Sequence, residues 1–494
     1  MNASESVPSV LSPGAAPAGE PGLPPTDAGR GGARPAERTA ARPAAPGGEH
    51  PLLRGPVLPT LLRLAIPNVL AMTMAVVVGV AETYYVGRLG VSPLAAMALV
   101  FPFNMLTAMM SGGAMGGGVS SSVSRALGSG DVDRANAAAL HAVVIGALIG
   151  ILYSAIFLLA GPALYRLLGG RGAVLELAVG YAAVLFSGAT LVWLSNTLAS
   201  VLRGTGNMKV PSVTILLMSA MQVVVGGVLG LGIGDFAGFG MPGIAAGQIL
   251  SMAAGVAFFF WYLMSGQGRL TLRLRGTPLS KALFADILKV GAVACLSPLQ
   301  SVMTVLILTG LIGQLGIQQL AGYGIGQRLE FMLIPFAFGI GVASVPMVGM
   351  AIGAGDVARA RKVAWTAGIV SAINLGVIGL VVSLLPGLWS SLFTSDPVVL
   401  DFASQYLRRA GPGFAFFGMG LTLYFAAQGA GRIGGPVLAS TVRLALVAAV
   451  GFWLASRQAP AWQFFALVGA AMVLYGLSTA LAIRVTPWGA RARG

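Results

Sequence analysis

Val86-Gly-Arg-Leu-Gly90 opens an apolar stretch that closes at Gly128-Ser-Gly-Asp131; Ile312-Gly-Gln-Leu-Gly316 opens a second that closes at Gly353-Ala-Gly-Asp356. The closing glycines, Gly128 and Gly353, stand 225 positions apart. A third pair continues the echo: Arg203-Gly-Thr-Gly-Asn207 ahead of Pro211, and Gln428-Gly-Ala-Gly-Arg432 ahead of Pro436. The two halves of the chain thus share one succession of apolar runs and glycine-marked turns. A long internal repeat built from membrane segments is the layout of a transporter that works between its halves.

Hydrophobic residues make up 56% of the 494-residue chain and charged residues only 9%. A soluble domain carries about 25% charged residues, so water is not the main solvent here. The apolar runs exceed the roughly 20 residues needed to cross a bilayer core as helix, and the short alternating strands of a membrane barrel are missing. The single cysteine, Cys295, lies in an apolar run and excludes a disulfide framework; with only His50 and His141 beside it, no His/Cys metal site can be assembled.

The net charge of +15 is unevenly spread: residues 1–54 are balanced, leaving 25 Lys/Arg against 10 Asp/Glu in the rest. Those cations gather at alternate connections, around Arg125 and Arg134, Arg203 and Lys209, Arg269 to Lys281, Arg359 to Lys362, Arg432, and Arg484 to Arg493. Basic connecting loops mark the cytoplasmic side, so the excess reads as membrane topology and not as nucleic-acid binding. Both termini are expected in the cytoplasm, with the chain in the inner (plasma) membrane.

The fold expected is an all-α integral membrane protein of twelve spans. Residues 1–54, rich in Ala, Pro, Gly and Arg, form a disordered cytoplasmic tail. An N-terminal six-helix lobe covers 55–265, a cytoplasmic linker 266–283, a C-terminal six-helix lobe 284–485, and a short cytoplasmic tail 486–494. Six spans per lobe is an even number, so the lobes insert the same way round. They are then related by a pseudo-twofold axis along the membrane normal, with a cavity between them.

Acidic residues are few enough to sort by depth. Asp131, Asp133 and Asp356 sit in the glycine turns, where Asp starts a helix as N-cap. Asp235, Asp286, Asp396, Asp401 and Glu176 sit at loops or span ends and read as solvated or capping carboxylates. Glu82 and Glu330 remain, inside apolar runs, and an intramembrane carboxylate is a functional hypothesis by default. Arg328 is two residues from Glu330 and so does not share its helix face. Pro67, fifteen residues before Glu82, removes a helix hydrogen bond and supplies a hinge. Gln222, Gln248, Ser251 and Gln300 are mid-span polar groups that face protein or a wet cavity. Met97, Met105, Met109, Met110 and Met115 cluster on the second span and read as packing or lipid contact, with accommodation of apolar ligands as the functional alternative. Nothing supplies a phosphate-binding loop, a nucleophile–base pair or a metal-ligand set. No ATP, no catalytic residue, no metal and no cofactor are therefore expected.

These pieces resemble the multidrug and toxic compound extrusion (MATE) family over about residues 57–485. The resemblance rests on Leu64-Ala-Ile-Pro67, Glu82-Thr-Tyr-Tyr-Val-Gly-Arg-Leu-Gly90, Gly128-Ser-Gly-Asp131, Leu202-Arg-Gly-Thr-Gly-Asn207 with Pro211, and Gly353-Ala-Gly-Asp356 followed by Arg359-Ala360. Within the family the chain looks closest to the DinF-like bacterial branch, since Gln300 stands after Pro298 where the other branch has a glutamate. The resemblance implies export of lipophilic organic cations, drugs or metabolites by proton or sodium antiport. Glu82 would then be the coupling carboxylate, in a place where the family usually has Asp. Gln222 and Gly226 replace an expected Asn and Asp, and Ser251 replaces a Thr, a thinned site that favours protons over sodium. Gln222, Gln248, Ser251, Gln300, Arg328 and Glu330 are the candidate polar cavity residues. The alternative is a flippase for lipid-linked oligosaccharides, which shares the two-lobed architecture.

Overall fold

A computed structural model describes residues 51–273, 276 and 278–489, and every named element among them is a helix. Among the described residues, ten helices are long and apolar enough to cross a membrane. They are α1 (Val57–Leu89), α2 (Val91–Gly128), α3 (Val132–Leu167), α5 (Lys209–Leu231), α6 (Met241–Met264), α7 (Lys281–Gly313), α8 (Ile317–Gly353), α9 (Val357–Leu384), α11 (Gly434–Ser456) and α12 (Ala461–Val485). Two bent pairs complete twelve spans: α4 (Gly172–Ser187 with Ala189–Gly204, 42°) and α10 (Pro397–Ala410 with Gly413–Gly429, 55°). The bends occupy the same place in each half, as the repeat requires. Helices α1–α6 form one lobe and α7–α12 the other.

The turns explain the punctuation. Asp131 and Asp356 accept the backbone N–H of Arg134 and Arg359 at 2.9 and 2.8 Å, capping α3 and α9 as expected. The glycines just before them, Gly130 and Gly355, have φ of +80° and +79°, left-handed backbone that disfavours a side chain. Leu148, Ile151, Leu152 and Leu159 on α3 are exposed, which only a lipid environment makes favourable.

Several loop cations prove structural. Pro51–Arg54, placed by the sequence in the disordered tail, is a helical turn with Leu52 buried. Arg359 holds it, donating to the carbonyls of Leu52 at 2.8 Å and Gly55 at 2.7 Å. Residues 1–50 of that tail and 490–494 of the other lie outside the described residues. Arg361 reaches the carbonyls at the end of α12, donating to Thr486 at 3.0 Å, and lies over the buried Trp488 ring. The expected linker packs on the first lobe: Thr271 N–H donates to Asn136 and Ser280 N–H to His141 Nε2 at 2.7 Å. Helix α7 then starts at Lys281.

The lobes meet closely at the end of the bundle where the described chain begins at Pro51 and ends beyond Trp488. A methyl group added to Gly128 would stand 2.7 Å from Met350 Cα, and one on Gly353 would stand 2.9 Å from the carbonyl carbon of Arg125. The first glycine of each turn motif thus lies backbone to backbone against the other lobe. Deeper in, Gly118 of α2 backs onto Gly291 of α7. Ser121 donates to the carbonyls of Gln428 and, at 3.1 Å, Gly429.

An acid–base cluster seals this end. Arg125 donates to Asp286 at 2.8 Å, Ser122 donates to the other carboxylate oxygen at 2.7 Å, and Arg134 stands 4.0 Å away. Asp286 belongs to the second lobe and its three partners to the first, so the solvated or capping carboxylate read from the sequence is a bridge between lobes. Charged hydrogen bonds contribute more than neutral ones, and the pair is only part-exposed. Asp286→Asn is expected to weaken the seal by about 1–2 kcal/mol, raising the population separated at this end roughly five- to thirtyfold. Spin labels at the exposed positions Asp133 and Lys362, with Cys295 replaced by alanine, would read the distance distribution. An unchanged distribution would show that the cluster does not set the seal.

Candidate functional site: a buried carboxylate and a cavity between the lobes

Glu82 lies about two turns from the far end of α1, which closes at Leu89, and is 8% exposed. Helix α5 supplies its partner: Gln222 Nε2–H donates to Glu82 Oε1 at 2.7 Å. One residue further along α5, the Val223 carbonyl accepts the Tyr85 hydroxyl at 3.2 Å, fastening the two helices beside the carboxylate. Ser251 on α6 commits its hydroxyl to its own helix, at the Gly247 carbonyl. Gln248 is buried nearby in sequence, but among the described residues no hydrogen bond joins Glu82 to Gln248 or Ser251. The structure therefore brings together one pair from the expected quartet. Gly226 lies against Gly247, backbone to backbone, where α5 and α6 cross.

Pro67 sits in α1, which runs unbroken from Val57 to Leu89. At about 1.5 Å per residue the fifteen-residue interval places it roughly 22 Å from Glu82. Immediately after it, Asn68 donates to the Gly339 carbonyl of α8 at 3.4 Å, and Gly339 packs on Val69. The helix carrying Glu82 thus touches the opposite lobe at its proline.

A cavity of about 270 Å³ lies between α2 and the second lobe. Its α2 wall includes Phe101, Met105, Met109 and Gly113. Residues Met109–Met115 form a π-helical segment, a wide turn that recurs at functional sites. Ser111 within it donates to the Thr107 carbonyl at 2.7 Å and accepts from Asn196 at 2.8 Å. The methionine cluster divides: Met105 and Met109 line the cavity, whereas Met115 is buried in packing.

Most of the wall is apolar, and its polar groups are few. Glu330 lines it and accepts the Tyr406 hydroxyl from α10. Arg443 of α11 lines it too, 8% exposed, donating to Ser301 at 2.8 Å and lying 4.9 Å from the Tyr475 ring centroid. Arg328 turns elsewhere, over the Phe393 ring at 5.4 Å. Gln300 lies outside the lining and donates to Thr441 at 2.7 Å. Of the six polar residues expected at the cavity, the lining takes Glu330 and leaves out Gln222, Gln248, Ser251, Gln300 and Arg328. Arg443 was missed, although an arginine inside the apolar run 434–456 is visible in the sequence.

Among the described residues the arrangement holds no group of three His, Cys, Asp or Glu side chains placed to bind a metal ion. It holds one buried carboxylate apart from an amphipathic cavity, which suits binding and proton exchange.

The MatE family model matches the chain twice, over residues 67–229 and 294–454, once in each lobe. Among curated relatives, the FAD transporter of Shewanella oneidensis is 23% identical over 66% of this chain and 72% of its own length. The multidrug export protein MepA of Staphylococcus aureus is 23% identical over 77% and 83%. A solved MOP superfamily transporter from Pyrococcus furiosus superposes with a TM-score of 0.81 at 23% identity, covering 88% of this chain and 96% of that one.

Proposed function

The chain belongs to the MatE family, and on that premise we propose that it is a secondary active exporter of small amphipathic molecules, coupled to a cation taken up at Glu82. The observation that carries the reading is the separation of Glu82, buried against Gln222 in one lobe, from a cavity walled mainly by the other. Coupling needs two sites whose occupancies bias one conformational equilibrium. The relatives' names span multidrug export and FAD transport, so a small organic molecule is their shared cargo.

The ion is a proton. Glu82 has an amide N–H as its hydrogen-bonded neighbour, and a sodium cage would need several oxygens around it. With both termini in the cytoplasm of the inner membrane, the sealed end faces inward and Glu82 lies toward the outside. A proton entering from outside neutralises Glu82 and alters its bond to Gln222. Helix α1 responds, and its contact with α8 beside Pro67 passes the change to the seal. An organic cation, the substrate class expected from the sequence, finds Glu330 in the cavity as its counter-charge and Arg443 as its opponent. An oligosaccharide flippase fits less well, because about 270 Å³ is small for such a headgroup.

Wild-type protein in liposomes tests the proposal. A fluorescent amphiphile is expected to move against an imposed proton gradient and not with sodium alone. Movement driven by sodium alone would reassign the ion, and no movement under either gradient would overturn the exporter reading.

A further inference from the structure

Among the described residues Arg443 is the only arginine lining the cavity, and Glu330 is the one carboxylate that acts on it, across the cavity and without a hydrogen bond between them. Among the described residues, no carboxylate stands within ion-pair distance of its guanidinium. One N–H is committed to Ser301, the cation lies over Tyr475, and Nε–H is buried with no acceptor. Glu330 shares the cavity but accepts the Tyr406 hydroxyl. A guanidinium stays charged at any physiological pH, whereas a carboxyl group can shed its charge by taking a proton. The permanent charge in the cavity is therefore positive.

Burying a charge without a partner is costly, and intramembrane arginines mark substrate or ion pathways. Serine and the tyrosine ring satisfy Arg443 in part. A carboxylate or phosphate brought to the guanidinium would supply an acceptor and an opposite charge in direct contact. Elsewhere the cavity wall includes apolar and aromatic side chains, among them Phe331, Phe338, Phe417 and Met472. Such a wall takes a flat apolar body.

We propose that the cavity is a binding site for aromatic or apolar molecules bearing a carboxylate or phosphate, anchored by Arg443, and that the cargo of this exporter is anionic at one end. The inference rests on the exporter reading for the word cargo, but the binding site itself does not. It departs from the lipophilic cation expected from the sequence. The same chemistry is offered by a free metabolite and by the headgroup of an anionic lipid.

Equilibrium binding to the purified full-length protein in neutral detergent, with no gradient, separates this inference from coupling at Glu82. Three isosteric probes are compared by fluorescence: 2-naphthoate, its neutral amide, and 2-naphthylmethylammonium. Naphthoate is expected to bind at least tenfold more tightly than either of the others. Arg443→Gln is expected to abolish that preference, and Arg443→Lys to retain part of it because the charge stays. Displacement of naphthoate by short-chain phosphatidylglycerol but not by benzoate or phenyl phosphate would name a lipid as the natural occupant; the reverse would name a free solute. Tighter binding of the ammonium probe, or a naphthoate preference unchanged in Arg443→Gln, would overturn the proposal. The wild-type probe series decides even if the glutamine variant fails to fold.

Discussion

Gly353→Leu is expected to hold the lobes apart at the end where the described chain begins and ends, and to stop transport while leaving the chain folded. Even a methyl group at this position would meet the Arg125 carbonyl and, at 2.9 Å, the Ser129 nitrogen. Both are backbone atoms on the opposite lobe, so no rotamer change relieves the collision. Overpacking costs about 1–3 kcal/mol when the surroundings resist. Here separation of the lobes offers an escape that a closed core lacks, so the cost appears as a population shift of roughly five- to 150-fold toward the open end. The labels at Asp133 and Lys362 would report a longer distance, and gradient-driven transport would fall with it. Gly355→Ala is the control, since nothing lies within 4 Å of a methyl group there although its φ of +79° is strained. Should Gly355→Ala separate the lobes as far as Gly353→Leu does, turn strain and not the interlobe collision would be responsible.

Glu82→Gln is expected to uncouple the protein. The amide can still pair with Gln222, so packing survives, but no proton can be taken up. Coupling free energies of about 1–3 kcal/mol correspond to 5–150-fold changes in affinity. Transport driven by a proton gradient should fall within that range, and the part of the pH dependence of substrate affinity that Glu82 supplies should be lost, leaving the part that belongs to Glu330 in the cavity. Naphthoate binding at fixed pH should persist, because Glu82 lies outside the cavity lining. Undiminished transport with an unaltered pH response would remove Glu82 from the mechanism.

The repeat was legible because left-handed glycines and capping aspartates are local signals, and each stands at matching places in both halves. The burial of Glu82 was legible because few carboxylates fall in apolar runs, Glu330 being the other. Gln222 and Gln248 looked alike in sequence, yet only one reaches Glu82. Depth can be read from hydropathy, whereas the face of a membrane helix cannot when lipid and core are equally apolar. Gln300 and Arg443 fell on the wrong sides of that uncertainty: one bonds its neighbour helix at Thr441 and the other lines the cavity. Asp286 lay near a helix start, where sequence suggests a cap. Its partners sit more than 150 positions earlier, on α2 and α3, and only the closed pair of lobes brings them together.

The mutual contact of Gly128 with Met350 and of Gly353 with Arg125 has the form of an isologous interface, one patch meeting its own copy. Two separate six-helix proteins would meet the same way in a symmetric dimer. A dimer of identical halves, however, must carry every residue twice: two proton-accepting carboxylates and two arginine-lined pockets. Joining the copies in one chain frees each to specialise. One half can keep Glu82 and dispense with an anion anchor, while the other keeps Arg443. The seam keeps the symmetry of the repeat, while the residues on either side of it do not.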